Sequence, residues 1–136
     1  MADRIVAAAR DLVGVQFRLQ GRSGETGVDC VGLAALALAQ AGHRCAVPRG
    51  YGLRSGDEVL AKDWLAQAGL AAVEQGRAGD LVLVRPGPLQ LHLMILVPGG
   101  HVHAHAGLGR VVETPGPSPW PVIGHWRAKQ EDEWRL

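Results

Sequence analysis

Aromatic residues and cysteines are scarce in this chain of 136 residues. It contains one Phe, one Tyr and two Cys, and aromatic residues make up only 4% of the sequence. Two cysteines, Cys30 and Cys45, are too few for a disulfide scaffold, so we expect free thiols. The formal net charge is only +1, and no run of basic residues is interleaved with aromatics. A nucleic-acid partner is therefore not expected.

Long apolar runs and a secretion signal are also missing from the sequence. The longest apolar runs, residues 31–39 and 91–98, are too short to span a membrane, so we expect no membrane insertion. The N-terminus carries an acid at Asp3, and its apolar stretch ends at Arg10, which does not fit a signal peptide. We therefore expect synthesis in the cytoplasm. Apolar residues make up 47% and charged residues 20%, which is typical of a globular protein. The length fits one domain over residues 1–136, with a surface tail at 129–136.

Hydrophobic periodicity predicts helices first and strands afterwards. We expect helices at residues 2–13 and 30–41, and a third helix that ends near Ala68. A Ser-x-x-Glu capping box places Ser55 at the start of that third helix. Short strand-like runs separated by Gly/Pro-rich turns follow at residues 71–74, 81–84, 91–97, 101–106, 111–113 and 122–126. This order predicts an α+β fold, with N-terminal helices packed on an antiparallel sheet of about five to six strands.

The third helix is predicted to bury one apolar side. Its apolar positions at helical spacing are Val59, Leu60, Trp64 and Leu65. Trp64, Trp120 and Trp126 are interpreted as core or rim aromatics rather than ligand platforms.

The stretch Gly-Val-Asp-Cys-Val-Gly-Leu at residues 27–33 places Cys30 where a polar loop becomes an apolar helix. The positive end of a helix dipole favours a thiolate, and the free backbone N–H groups of a first turn can bind an oxyanion. Cys30 is therefore a candidate nucleophile; the alternative is a small apolar residue on a buried helix. Asp29 either caps this helix or contacts a substrate amine, and we prefer the cap.

His92 opens an otherwise apolar strand, residues 91–97, where a buried polar ring needs a partner. His101, His103 and His105 alternate with Val and Ala, so on a strand all three point to one face. The turn at residues 98–100 fits a hairpin that brings His103 beside His92.

Cys30, His92 and His103 then match a nucleophile, a base and a residue that orients the base. Two alternatives remain open on the residues alone. In the first alternative, His92 is a core histidine bonded to a backbone carbonyl. The second alternative is a zinc ion held by the His-x-His pair, with a third ligand from His105, His92 or Cys30.

The order of the motifs resembles that of the NlpC/p60 cell-wall cysteine peptidases over about residues 5–115. The resemblance implies a papain-like α+β fold and no cofactor or metal. It also implies hydrolysis of peptidoglycan stem peptides, commonly between D-glutamate and diaminopimelate, through a thioester. Carried over by motif, Cys30 is the nucleophile, His92 the general base and acid, and His103 the orienting residue. The motifs are Phe17, Gly21-Arg22-Ser23, residues 27–33, Gly79-Asp80-Leu81, His92-Leu93-Met94-Ile95-Leu96 and His101-Val102-His103-Ala104.

Within that family the chain looks most like the phage-tail and gene-transfer-agent branch. Three features carry this resemblance: Gly-Arg-Ser before the cysteine motif, the Arg85-Pro86-Gly87 loop before His92, and Val-Val-Glu at 111–113 followed by Trp120. The branch implies phage-like tail proteins as partners and delivery to the cell wall inside a particle.

Two positions depart from the family pattern. Val31 follows the cysteine where the family usually has Ser, and Phe17 stands where a Tyr hydroxyl usually assists the oxyanion. Losing one oxyanion donor lowers a rate about 10²- to 10³-fold.

The candidate substrate and oxyanion region comprises Phe17, Arg22, Asp29 and Tyr51. Two other functions stay open: an amidase or acyltransferase on the same scaffold, and a non-catalytic structural tail component.

Overall fold

A computed structural model describes residues 1–43 and 56–129 of the chain. Three helices are present in these ranges: α1 (Ala2–Asp11), α2 (Cys30–Gln40) and α3 (Glu58–Gln67). Two short strands, β1 (Arg22–Ser23) and β2 (Gly27–Val28), pair with each other. Six further strands form one antiparallel sheet in the order β3-β8-β4-β5-β6-β7. They are β3 (Leu70–Val73), β4 (Leu81–Gly87), β5 (Gln90–Val97), β6 (Gly100–His105), β7 (Arg110–Pro115) and β8 (Val122–Ala128). The predicted α+β fold, with helices first and a sheet of about six strands, is confirmed.

The main core lies between the helices and one face of the sheet. α1 and α2 contact each other, and α2 also contacts β5 and β6. α1 buries Ile5, Ala8 and Ala9 on the side that faces α2 and the sheet. α2 carries apolar residues all round, and such a helix is expected to lie in the interior. Its predicted central position is confirmed, because most of its residues are buried.

The start of α3 differs from the prediction. The helix begins at Glu58, and its N-cap is Asp57, whose carboxylate accepts a hydrogen bond from the Leu60 N–H at 3.1 Å. The predicted cap at Ser55 is therefore wrong, although Ser55 itself lies outside the described residues. Asp is as good an N-cap as Ser, and it is the residue that directly precedes the first helical turn.

The predicted apolar side of α3 is confirmed at Leu65 and at Trp64, which packs half-buried against the main core, but it is wrong at Val59 and Leu60. Val59 and Leu60 are 77% and 54% exposed, whereas Ala61 and Leu65 are buried. α3 packs mainly on the edge strand β3. A short helix at a sheet edge buries only a narrow stripe, and here that stripe runs through the small Ala61.

The segment before α2 contains the β1–β2 pair, with Arg22 opposite Val28. Leu91, Leu93 and Ile95 of β5 belong to the main core, whereas Met94 packs with Val82 and Val84 in a second, smaller cluster. The alternation along β5 therefore places His92 on the second face, opposite Val84 of β4. No helix in the described parts of the chain is long and apolar enough to cross a membrane.

Candidate active site

A cavity of about 330 Å³ contains most of the predicted site residues. Cys30, His92, His103, Phe17 and Asp29 all line it. Tyr51 and Cys45 lie outside the described residues, and so does the predicted tail except for its first residue, Lys129. The structure therefore brings the three candidate catalytic side chains to one cavity. It also supplies Trp120, which was not predicted as a site residue.

Asp29 fixes the loop and the helix start around Cys30. Its Oδ1 accepts hydrogen bonds from the Gly32 N–H and from Arg22 Nη1, each at 2.9 Å, and its Oδ2 accepts from the Gln20 N–H at 2.8 Å. Asp29 is only 4% exposed. The preferred role of Asp29 as the helix cap is confirmed, and Arg22 is its ion-pair partner rather than a residue that lines the cavity.

The start of α2 packs closely against the preceding loop. A Cβ on Gly32 would overlap the carbonyl oxygen of Gly21. Val31 is fully buried in the main core, so the side chain that replaces the family's usual serine points away from solvent and serves packing. The first turn of the helix is therefore held in place on two sides.

Cys30 is half-buried, and its thiol sits against backbone N–H groups. Burial raises the pKa of Cys30 to about 12, and the nearby charge of Asp29 acts in the same direction. Backbone hydrogen bonds from Leu93 and Val31 oppose this rise in pKa. Leu93 directly follows His92, so the Cys30 sulfur lies beside the backbone of the β5 segment that carries His92. The raised pKa favours the thiol form of Cys30 at neutral pH. The expectation that the helix N-terminus favours the thiolate is therefore not met, because desolvation outweighs the backbone hydrogen bonds.

His92 and His103 form the predicted pair across the β5–β6 hairpin. Their rings meet at 3.1 Å between His92 Nε2 and His103 Nδ1. The hairpin loop is Pro98-Gly99, and Gly99 has a φ of 80°, which glycine adopts without strain. The other nitrogen of His92, Nδ1, takes no part in this contact.

Both rings are neutral near pH 7. Burial, together with the neighbouring rings of His103, His105 and His101, lowers the pKa of His92 to about 3. Burial likewise lowers the pKa of His103 to about 4. A neutral imidazole has a free lone pair, so His92 is in the form that accepts a proton.

His101 and His105 flank the pair on β6, as the alternation predicted. The ring centroids of His101 and His105 lie 5.2 and 5.5 Å from that of His103. His101 is buried, and its Nε2 has no hydrogen-bond partner among the described residues. Within residues 1–43 and 56–129, no group of three or more His, Cys, Asp or Glu side chains is arranged to hold a metal ion.

Trp120 is the site residue that sequence reasoning missed. Its ring meets the rings of His92 and His103 edge-on, with centroids 5.7 and 5.8 Å apart. Ser118 Oγ holds the turn, since it accepts from the Trp120 N–H and donates to the Trp120 carbonyl oxygen. The sequence places Trp120 in a Pro-rich loop before the last strand. Apart from its position in the order of the motifs, nothing in the sequence indicates that it contacts the histidine pair.

The other residues assigned from sequence divide between structure and site. Asp80 is 2% exposed and accepts two hydrogen bonds from Arg127 at 2.8 Å, so its role is structural. Trp126 is buried in the main core. Phe17 is half-buried in the cavity wall, where its N–H donates to the Gly109 carbonyl oxygen at 2.8 Å.

No protein-family model and no curated protein sequence matches the chain. Solved structures do match it. The NlpC2 protein of Trichomonas vaginalis aligns over 93% of this chain and 46% of its own, with a TM-score of 0.69 and 17% identity. The p60 domain of an antigen from M. avium subspecies paratuberculosis aligns over 93% of both chains, with a TM-score of 0.63 and 23% identity.

The peptidoglycan hydrolase RipB of Mycobacterium tuberculosis aligns over 93% of this chain and 63% of its own, with a TM-score of 0.64 and 23% identity. This chain therefore spans about half the length of the Trichomonas protein but nearly all of the isolated p60 domain. The chain has the fold of the NlpC/p60 domains found in peptidoglycan hydrolases.

Proposed function

We propose that this protein is a cysteine hydrolase that cleaves amide bonds in the stem peptides of bacterial peptidoglycan. The observation that carries the proposal is one cavity lined both by the half-buried Cys30, at a helix N-terminus, and by a neutral His92 paired with His103. The likeness to peptidoglycan hydrolase structures, one of them RipB, supports the choice of substrate.

The pKa values define the first chemical step. Cys30 enters as a thiol and His92 as a neutral imidazole, so His92 removes the thiol proton as the sulfur attacks the amide carbonyl. His103 holds the His92 ring through the 3.1 Å contact and leaves His92 Nδ1 for the thiol proton. The sulfur–carbon bond forms, and the carbonyl oxygen takes the negative charge.

The two remaining steps return the enzyme to its starting state. The protonated His92 gives its proton to the leaving amine as the carbon–nitrogen bond breaks, and a thioester remains on Cys30. Water then attacks the thioester while His92 accepts a proton, and the thiol is restored when the acid leaves. Backbone N–H groups at the start of α2 are the donors nearest the developing oxyanion, and Phe17 contributes none from its side chain.

For the bond itself we propose the linkage between D-glutamate and diaminopimelate, as in the family that the motifs resemble. We also propose that the protein reaches the cell wall as part of a phage-like particle with tail proteins as partners. The motif features around Arg22, Arg85 and Trp120 support that assignment.

The test is digestion of purified peptidoglycan followed by mass spectrometry of the soluble fragments. We expect fragments with new termini at the D-glutamyl linkage, and an acid-quenched sample should carry the acyl half as a thioester on Cys30. Fragments cut at an amide outside the stem peptide would indicate an amidase instead. Release of no fragments under any condition would overturn the hydrolase proposal and favour a structural tail component.

A further inference from the structure

Thr114 contacts the His103 ring on the side that faces away from His92. The Thr114 Oγ1 is 3.4 Å from His103 Nε2, the ring nitrogen that does not contact His92. Thr114 belongs to β7, the edge strand of the sheet, and its backbone lies opposite His101 of β6. Since residues opposite each other in a sheet point to the same face, Thr114 shares the face of His101 and His103.

The two nitrogens of His103 therefore have different partners. Nδ1 faces the His92 ring, and Nε2 faces a hydroxyl. A neutral imidazole carries one proton, so one of its nitrogens donates and the other accepts. The partner of His103 Nε2 determines which nitrogen of His103 carries the proton. It thereby determines whether His103 Nδ1 donates a hydrogen bond to His92 or accepts one from it.

We propose that Thr114 is a positioning residue that sets the tautomers of His103 and His92. Its hydroxyl oxygen accepts a hydrogen bond from His103 Nε2–H, which leaves the lone pair of His103 Nδ1 directed at His92. His92 then carries its own proton on Nε2 and donates it to His103. His92 Nδ1 is left with the lone pair, and this is the nitrogen that the proposed mechanism needs for the thiol proton.

The opposite arrangement would leave His92 unable to act. If His103 carried its proton on Nδ1, that proton would go to His92 Nε2, and His92 would hold its own proton on Nδ1. His92 would then present a donor where a base is required. A hydroxyl can donate as well as accept, and Thr114 separates these two states by accepting from His103 Nε2–H rather than donating to that nitrogen. The inference rests on the proposed function for its consequence, but the tautomers exist without substrate.

The test compares Thr114→Val and Thr114→Ser in the full chain. Valine has nearly the shape of threonine without the hydroxyl, and serine keeps the hydroxyl. Nitrogen-15 NMR correlation spectra of the histidine rings, recorded at neutral pH without substrate, identify which ring nitrogen carries the proton. We expect His92 and His103 in the wild type each to hold the proton on Nε2, with the same pattern in Thr114→Ser and a mixture of tautomers in Thr114→Val.

Two results would overturn the inference: a Thr114→Val spectrum identical to the wild type, or a Thr114→Ser spectrum that matches Thr114→Val. With an active wild type, Thr114→Val should lower kcat about two- to tenfold with KM unchanged, the effect of one neutral hydrogen bond. Thr114→Ser should stay within about twofold of the wild type. A wild type that cleaves no peptidoglycan contradicts the proposed function, and the NMR spectra decide on Thr114 independently.

Discussion

Replacing Asp29 by Ala should destabilise the protein far more than removing an ordinary helix cap. The carboxylate accepts from the Gly32 N–H, the Gln20 N–H and Arg22, and it is 4% exposed. Asp57 offers a matched control in the same chain. It caps α3 through one hydrogen bond, from the Leu60 N–H, and is exposed to solvent.

The expected magnitudes follow from these contacts. Loss of an N-cap costs about 1 kcal/mol, so we expect about 1 kcal/mol for Asp57→Ala. Asp29→Ala loses the same cap and a second backbone hydrogen bond to a charged group, worth about 1.5–3 kcal/mol. It also leaves Arg22 without this ion-pair partner. We therefore expect about 4 kcal/mol for Asp29→Ala.

Urea denaturation followed by tryptophan fluorescence measures both free energies of unfolding. Asp29→Asn should fall between the extremes, at about 2 kcal/mol, because the amide oxygen still caps the helix while the charge is lost. It also provides a measurable variant if Asp29→Ala does not fold. Equal losses for Asp29→Ala and Asp57→Ala would refute the reasoning, since they would mean that the Gln20 and Arg22 contacts contribute nothing.

Three further predictions follow from the site and its supports. Trp120→Ala should admit water to the ring pair and raise the pKa of His92 by about one to two units in an NMR titration, whereas Trp120→Phe should change it little; an unchanged pKa in the alanine variant would contradict this. The folded pKa values of His92 and His103, about 3 and about 4, lie below the usual 6.5. The unfolded chain therefore binds protons first as the pH falls. The free energy of unfolding should then decrease by about 2 kcal/mol from pH 6 to pH 5, and stability that is flat or rises over this range in urea titrations would be inconsistent with neutral buried rings. Gly32→Ala should prevent stable folding because its Cβ meets the Gly21 carbonyl, while Gly24→Ala, with only an ordinary contact, should fold normally by circular dichroism.

The sequence was sufficient for the fold because its periodicities were strong. The apolar helix after Cys30 and the change to alternating runs after residue 70 correspond to α2 and the six-stranded sheet. Sequence reasoning failed where a tertiary contact overrode a local pattern. Val59 and Leu60 are apolar and at helical spacing, yet α3 meets only the sheet edge and leaves them exposed.

The candidate site, like the fold, was predicted from the sequence only in part. The hairpin predicted the meeting of His92 and His103, although the observed register pairs Ile95 with Val102, so the two rings approach diagonally rather than from directly opposite positions. Trp120 and Thr114 were not predicted, since each reaches the pair from a different strand or loop and only the assembled sheet brings them together. The ionisation of Cys30 was misjudged because burial depends on the packed neighbours, which a helix N-terminal motif does not specify.

The central claim is that Cys30 carries the chemistry, and the chain contains its own control in Cys45. Fragment release from purified peptidoglycan should be measured for the wild type, Cys30→Ala and Cys45→Ala at equal protein concentration. The account predicts that Cys30→Ala releases fragments no faster than a blank without protein, and that Cys45→Ala keeps the wild-type rate. A Cys30→Ala protein that releases fragments as fast as the wild type would contradict the account.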